Sequence, residues 1–265
     1  MKAVKKCLFV FGCLVVLFSN IQAKELTVMV SGGFYAAYEG LINSFEKKEG
    51  VKIKTLRSPS MGNTPQAIPN RLKNGEKADV VIMVGSALDK LEKQGWILKD
   101  SRVELADSPI GAVIKKGKPL ISIKTDAELR KVLLNASSIA YSDSASGRYI
   151  SEQLFKKLGI ERQVKDKAYM IPRIPVASVI AKGAYEIGFQ QVSEILPIAG
   201  ITFIGELPKN LQHFTRFAGA VVATSHSPIE AKELLKYLSS KEVQNIVHST
   251  GLCSIKHSTL KSLMK

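Results

Sequence analysis

Short apolar segments alternate with helical patterns of apolar residues along most of the chain. Residues 26–30 are largely apolar and typical of a buried strand, and Ala37, Leu41 and Phe45 then recur at the spacing of one helix face. Residues 78–84 are again almost continuously apolar, as expected for a parallel strand that is covered on both faces. The alternation therefore predicts βα units.

The same alternation continues through the second half of the chain. It predicts helices over residues 127–134, 148–158, 176–182, 228–239 and 242–249, and strands over residues 138–142, 168–171, 186–191 and 201–204. An earlier helix is expected over residues 64–73, with Pro65 in its first turn and a kink at Pro69. Together these elements predict an α/β protein with parallel sheets.

Two strand-like segments, residues 103–115 and 214–224, lie between the groups of βα units and end neither group. We expect both segments to cross between two lobes. Residues 24–108 and 221–265 then form lobe 1, and residues 109–220 form lobe 2. Because no Gly/Ser-rich or Pro-rich linker separates the groups, the hinge is expected to consist of two crossing strands.

The N-terminal residues have the composition of a secretory signal peptide. Three lysines among the first six residues precede an uncharged apolar run over residues 7–18, and the small residue Ala23 stands at the expected cleavage point. The apolar run is too short to span a bilayer comfortably. We therefore expect residues 1–23 to be removed on export and the mature protein to be periplasmic.

The chain of 265 residues has 38 Lys and Arg against 23 Asp and Glu, which gives a formal net charge of +15. A positive charge of this size favours anionic partners in general. The lysines are dispersed over the predicted helices, as at Lys47, Lys48, Lys156 and Lys157, which is typical of solvated faces. We therefore expect no nucleic-acid partner, and instead a monomer that binds a small anion.

No pattern in the sequence is typical of a metal or nucleotide site. Cys253 is the one cysteine beyond residue 23, so no disulfide can form within the expected mature chain. The four histidines form no His-Glu-x-x-His motif, and no Gly-x-Ser-x-Gly elbow, Walker loop or Rossmann fingerprint occurs. We expect no metal and no other cofactor.

Polar or small residues follow the first two predicted strands and precede the next helices. Ser31 and Gly32 stand where the first strand meets its helix, where backbone N–H groups and close approach favour an anion. Residues 58–64, directly after Arg57, include Ser60 and hold the same position after the second strand. A helix cap or a polar turn also explains each motif.

Three further strand ends share this composition. Residues 142–149 run from a strand into a helix, and Gly147 permits close backbone approach there. Val176 opens another predicted helix, and Gln190 and Gln191 end the next strand. The two glutamines also fit a structural hydrogen-bond network. The recurrence at five strand ends, more than any single motif, predicts a ligand site.

The order of these motifs resembles that of the periplasmic molybdate-type solute-binding proteins of ABC transporters, over essentially the whole mature chain. The resemblance implies a type 2 periplasmic-binding fold, with two α/β lobes joined by two crossing strands and closing on a dehydrated oxyanion. Carried over by position, the contacts would be made by Ser31, Ser60, Ala145 and Val176. An ABC permease would be the partner that receives the ligand.

Gln191 departs from that family, which has a tyrosine at this position. A tyrosine hydroxyl donates to a tetrahedral oxyanion, whereas an amide both donates and accepts. Residues 58–72 also differ from molybdate receptors and resemble a subgroup that includes periplasmic aconitate isomerases. With Arg57, Arg148 and Met61 expected near the cleft, we predict that carboxylates bind better than molybdate.

Two functions therefore stay open: a receptor that delivers a small anion to a permease, and a cofactor-free isomerase that shifts a proton in aconitate. The isomerase requires a base, and no motif selects among Tyr35, Asp143, Tyr149 and His213. Under either function the predicted ligand-binding residues are Ser31, Gly32, Arg57, Ser60, Met61, Ala145, Ser146, Arg148, Val176, Gln190 and Gln191.

Overall fold

The computed structural model describes residues 24–255, in which ten strands form two five-stranded sheets. The strands are β1 (Glu25–Val30), β2 (Lys52–Arg57), β3 (Val80–Val84), β4 (Val103–Ser108), β5 (Ile110–Lys115), β6 (Ile139–Ser142), β7 (Ala168–Ile171), β8 (Ile187–Gln191), β9 (Ile201–Glu206) and β10 (Thr215–Val221). Lobe 1 contains the sheet with the order β2-β1-β3-β10-β4, and lobe 2 contains the sheet with the order β7-β6-β8-β5-β9. The predicted signal peptide, residues 1–23, lies outside the described residues.

Helices cover both sheets. They are α1 (Gly32–Glu49), α2 (Ile68–Lys73), α3 (Gly85–Lys93), α4 (Asp126–Asn135), α5 (Ala145–Tyr149), α6 (Phe155–Lys157), α7 (Glu161–Val164), α8 (Val176–Ala181), α9 (Val192–Ile195), α10 (Pro228–Ser239) and α11 (Gln244–Ser249). A π-helical turn, Ile150–Leu154, joins α5 to α6, and 3₁₀ turns occupy Lys165–Lys167 and Lys241–Val243. Within residues 24–255, no helix has both the length and the apolar character needed to span a bilayer.

Each sheet contains one strand that runs against its neighbours. β10 is antiparallel to β3 and β4, and β5 is antiparallel to β8 and β9, whereas β1, β2 and β3 are parallel, as are β6, β7 and β8. The chain passes from lobe 1 into lobe 2 at β5 and returns to lobe 1 at β10. In each case the preceding strand ends at the carboxyl edge of its sheet. The chain therefore enters the next sheet at its carboxyl edge, and the new strand runs antiparallel to its neighbours. The prediction of parallel sheets is therefore wrong at these two strands.

Two predicted boundaries also differ from the structure. α2 begins at Ile68, and Pro69 lies in its first turn, where the missing N–H breaks no intrahelical bond and causes no kink. The preceding residues 64–67 form bends and turns. Residues 215–220 were expected in lobe 2, but they belong to β10 and pair with β3 and β4 of lobe 1.

Two segments cross between the lobes. Pro109 separates β4 from β5, and residues 207–214 connect β9 to β10. The Gln212 side chain holds the two segments together, because its Nε2 donates to Ile110 O at 3.0 Å and its Oε1 accepts from Ile110 N at 2.9 Å. The hinge thus consists of a tight strand-to-strand connection and a longer loop that is clamped to it.

The central strands of both sheets are buried on both faces, as the apolar sequence of β3 predicts, and the burial of β8 includes its two glutamines. All five residues of β3 and all five of β8 are buried. In lobe 1, α1 contributes Phe34 and α10 contributes Leu234 to the core. In lobe 2, Ala112 and Val113 of β5 pack into separate apolar clusters on opposite faces. This burial holds in place the carboxyl ends of the strands, from which the loops between the lobes start.

Candidate functional site

A cleft of about 750 Å³ lies between the lobes, within the size range of small-molecule sites. Its lobe 1 wall consists of residues that end or follow β1, β2 and β3 together with Phe217 of β10, and its lobe 2 wall consists of residues that end or follow β6, β7 and β8. The carboxyl ends of six parallel strands therefore face one space. This convergence follows from the strand order and places ligand contacts where open α/β sheets bind ligands.

Most of the predicted ligand-binding residues line this cleft. They are Ser31, Gly32, Arg57, Ser60 and Met61 from lobe 1, and Ala145, Gln190 and Gln191 from lobe 2. Ser146, Arg148 and Val176 are not among the lining residues. Contact of any of these side chains with a ligand stays a prediction.

Two of the three predicted residues outside the cleft wall, Val176 and Ser146, have their polar groups buried and paired within lobe 2. The N–H of Val176 is buried and donates to Gln190 Oε1 at 2.7 Å, so it is already paired within lobe 2. The Ser146 hydroxyl is fully buried and lies 3.1 Å from the hydroxyl of Ser142. Arg148 is exposed, and its guanidinium contacts the Met61 sulfur of the opposite lobe.

The loop after β6 is folded tightly by hydroxyl contacts and one glycine. The hydroxyls of Ser142, Ser144 and Ser146 lie 2.7–3.2 Å from one another. A Cβ added to Gly147 would lie 1.6 Å from the backbone oxygen of Ser142, so that only glycine fits where the chain doubles back. The tight fold directs Ala145 and Ser144 to the cleft wall.

Two buried polar atoms in the cleft wall have no hydrogen-bond partner within the described residues. They are Ser31 Oγ, at the start of α1, and Gln191 Oε1, at the end of β8. The other amide atom of Gln191, Nε2, donates to Thr215 Oγ1 at 2.8 Å. Because a buried unpaired polar atom loses its hydration without compensation, both atoms are suited to a ligand that supplies the missing bonds.

The two serines predicted as equivalent contacts differ in role. Ser60 Oγ accepts a hydrogen bond from the buried N–H of Val84 at 2.9 Å, whereas Ser31 Oγ has no partner. We expect Ser60→Ala to lower the free energy of unfolding by about 1–3 kcal/mol, because it leaves a buried N–H unpaired. Ser31→Ala is expected to change it by less than about 0.5 kcal/mol. Urea denaturation of both variants measures this difference, and equal losses would contradict it.

Two arginines line the cleft, one from each lobe. Arg57, at the end of β2, lies over the ring of Tyr35, 4.7 Å from the ring centroid, in a cation–π contact. Arg173, after β7, has a left-handed backbone with φ of 67°, and its N–H donates to Asp143 Oδ2 at 3.2 Å. Since neither guanidinium forms an ion pair within 4.0 Å with a carboxylate of residues 24–255, both are suited to an anionic ligand.

Glu194 on α9 is the main cleft residue that the sequence analysis missed. Its Oε2 accepts from Gln190 Nε2 at 3.0 Å, and a Cβ added to Gly32 would lie 2.2 Å from its Oε1. Burial raises the pKa of Glu194, and the charge of Asp143 acts in the same direction. The hydrogen bond from Gln190 and the charge of Arg57 act in the opposite direction on this pKa. Gln190 lies in β8 and Glu194 in α9, so the two residues do not share a helix face, and no local sequence signal marks Glu194.

Of the four bases considered from the sequence, Asp143 alone is among the lining residues. The Tyr35 hydroxyl donates to Glu39 Oε1 at 3.1 Å, beside the cleft. The Tyr149 hydroxyl is buried and donates to Leu211 O at 2.6 Å, and His213 stacks on the Tyr149 ring with centroids 4.7 Å apart. Tyr149 and His213 therefore support the connection between β9 and β10 and not the cleft.

A metal site is not evident in the part of the chain that the structure describes. Across residues 24–255, no group of three or more His, Cys, Asp or Glu side chains is arranged to hold a metal ion. The residues that line the cleft instead carry hydroxyls, amides, two guanidinium groups and two carboxyl groups. Such a set can bind an anion and transfer a proton.

Comparison with known proteins places the chain in a family. Residues 26–252 match the model of the bacterial extracellular solute-binding proteins, and the chain belongs to that family. Among the curated relatives is an aconitate isomerase from Pseudomonas sp, which is 44% identical over 227 residues, 86% of this chain and 87% of that protein. The family and the subgroup that the sequence resembles are thus confirmed.

Solved structures confirm the type 2 periplasmic-binding fold. The periplasmic molybdate-binding protein of Azotobacter vinelandii superposes with a TM-score of 0.69 and 18% identity, covering 87% of this chain and 100% of that chain. The sulfate-binding protein SubI of Mycobacterium tuberculosis superposes with a TM-score of 0.69 and 14% identity, covering 90% of each chain. At these identities the likeness concerns the fold.

Proposed function

We propose that this protein is a cofactor-free isomerase that acts on aconitate. The observation that carries the proposal is the presence of two acidic residues, Asp143 and Glu194, in a cleft that is also lined by one arginine from each lobe. Carboxylates repel an anionic ligand, so a site built only for binding gains nothing from them. A carboxyl group is one of the side chains that can transfer a proton, and a reaction of this kind gives both carboxyl groups a use in the cleft.

The reaction needs few groups beyond those in the cleft. Interconversion of aconitate isomers requires removal of an allylic proton, stabilisation of the resulting negative charge, and return of a proton to the other end of the allylic system. Arg57 and Arg173 can hold carboxylates of the substrate from opposite lobes, because a guanidinium pairs bidentately with a carboxylate. The 44% identity to an aconitate isomerase supports this choice of substrate.

Activity of the purified protein tests the proposal directly. Incubation of residues 24–265 with trans-aconitate is expected to produce the cis isomer, and chromatography follows the conversion. The rate is expected to be unchanged by a chelator, because the proposed chemistry uses only side chains. A heat-inactivated sample is the control, and no conversion above that control over hours at high protein concentration would refute the proposal.

A receptor for a small anion is the second candidate, and membership of the solute-binding family favours it. In this role the protein would be exported, lose residues 1–23, and act as a monomer that delivers its ligand to an ABC permease. Thermal shifts of the mature protein with molybdate, tungstate, sulfate, phosphate, citrate and both aconitates separate the candidates, because a bound ligand raises stability by mass action. Stabilisation by molybdate or sulfate alone would favour this second role.

A further inference from the structure

We infer that Glu194 is the group that removes and returns the proton, and that Gln190 positions it. This inference rests on the proposed isomerase function and adds a residue assignment to it. Glu194 lies on α9 of lobe 2, lines the cleft, and reaches the first residue of α1 in lobe 1. It is therefore placed where the two lobes meet around a ligand.

A chain of hydrogen bonds fixes the orientation of the Glu194 carboxyl group. The N–H of Val176 donates to Gln190 Oε1 at 2.7 Å, which leaves Gln190 Nε2 to donate to Glu194 Oε2 at 3.0 Å. Because the backbone N–H of Val176 can donate only to an oxygen, it identifies Oε1 and Nε2 of the Gln190 amide and fixes the orientation of that amide. One carboxyl oxygen is thereby held by lobe 2, and the other, Oε1, remains for the substrate.

Gly32 makes room for the second oxygen. A Cβ at this position would lie 2.2 Å from Glu194 Oε1 and 3.8 Å from Arg57 Nη2. The absent side chain lets the carboxyl group and the guanidinium approach the same point at the start of α1. A substrate carboxylate bound by Arg57 would consequently lie beside the proposed base.

The surroundings of Glu194 suit proton transfer better than those of Asp143. Asp143 is exposed, and its Oδ2 accepts the N–H of Arg173. Glu194 lies between the lobes, and burial raises its pKa, which makes its carboxylate the stronger base near neutral pH. The ionisable groups that act on it are Arg57, from β2, and Asp143, from the loop after β6.

The proposed step balances without a co-reactant. A C–H bond of the substrate methylene breaks, its proton passes to the Glu194 carboxylate, and the electron pair forms a new C=C bond to the central carbon. The original C=C bond opens, and its outer carbon takes the proton from the Glu194 carboxyl group. One C–H bond is broken and one is formed, no atom is oxidised or reduced, and the base is regenerated. Arg57 and Arg173 stabilise the charge that develops on the carboxylates.

Glu194→Gln is the variant that tests the assignment, because it keeps the size and an acceptor for Gln190 but cannot take the proton. Isomerisation is expected to fall at least about 100-fold, and calorimetry is expected to show trans-aconitate binding within about threefold of wild type. Deuterium incorporation into aconitate in D₂O should fall in parallel. Glu49→Gln, at the exposed end of α1, is the matched control and should keep full activity.

The position of Gln190 has a separate readout. Its hydrogen bond lowers the pKa of Glu194, so Gln190→Leu is expected to move the limb of the pH profile of kcat/KM that reports Glu194 to higher pH. A residue that only stabilised the fold would lower the protein's melting temperature without moving this limb. An unmoved limb would therefore remove Gln190 from the assignment.

The outcomes separate this inference from the proposed function. If the wild-type protein converts neither aconitate isomer, the proposed function fails. If the wild type is active and Glu194→Gln retains activity within about tenfold, the function stands and the assignment of Glu194 is overturned. Loss of activity in Asp143→Asn together with retention in Glu194→Gln would assign the proton transfer to Asp143.

Discussion

Replacing Gly147 with alanine is expected to lower the free energy of unfolding by about 3 kcal/mol or more, the largest effect of any single methyl group considered. The added Cβ would lie 1.6 Å from the backbone oxygen of Ser142, and backbone cannot move aside as the end of a flexible side chain can. Relief requires separation of α5 from the end of β6. Urea denaturation measures the loss of unfolding free energy, and the loop after β6 is expected to change its conformation in this variant.

Gly40→Ala is the matched control for this substitution. Gly40 is an exposed position within α1, and its added Cβ would lie 3.2 Å from Ile246 Cγ2, a side-chain atom that can shift. Alanine is also favoured over glycine within a helix by about 1 kcal/mol. We expect this variant to remain within about 1 kcal/mol of wild type. If Gly147→Ala were as stable as Gly40→Ala, the tight turn described after β6 would be wrong.

Loss of the guanidinium at position 57 is expected to weaken binding of trans-aconitate by about 10- to 100-fold. A hydrogen bond to a charged group contributes about 1.5–3 kcal/mol, and each 1.4 kcal/mol corresponds to a factor of ten. Arg57→Gln removes the charge and the bidentate geometry while leaving Tyr35, on which the guanidinium lies, in place. Isothermal titration calorimetry of the mature protein measures the change.

Lys54→Gln removes the same charge from the same strand and controls for general electrostatics. Lys54 is an exposed residue of β2 outside the cleft lining, so its effect on affinity is expected to stay within about twofold. Equal losses in both variants would show that net charge, and not a guanidinium at the end of β2, attracts the ligand. Unchanged affinity in Arg57→Gln would contradict its place in the site.

The order of the elements was predictable because burial imposes patterns on the sequence. β3 is buried on both faces, and an uninterrupted apolar run predicts such a strand without knowledge of its neighbours. The directions of β5 and β10 were not predictable in this way. A buried antiparallel strand that is enclosed by parallel ones carries the same apolar run, so only the path of the chain between the lobes decides its direction.

Some residues of the candidate site could be predicted from the sequence and others could not. Ser31, Arg57 and the glutamines at the end of β8 follow apolar strands, and a strand end is visible in the sequence. Glu194 follows the same strand but resembles any solvated glutamate of a short helix. What distinguishes Glu194 is that Gly32 of lobe 1 lies close to its carboxyl group.

The sequence by itself determined the α/β class, the two groups of βα units and the family, and most of the site residues that it predicted line the cleft, because each depends on local periodicity or on residues at strand ends. Only the tertiary structure decided which of those residues are available to a ligand. The N–H of Val176 is paired within the protein, and Ser60 Oγ accepts from Val84 and keeps its O–H to donate, whereas Ser31 leaves its whole hydroxyl unpaired. The hydrogen-bond partners of these residues come from other segments of the chain, and so do the groups that bury Glu194 and raise its pKa. No local pattern in the sequence therefore encodes them.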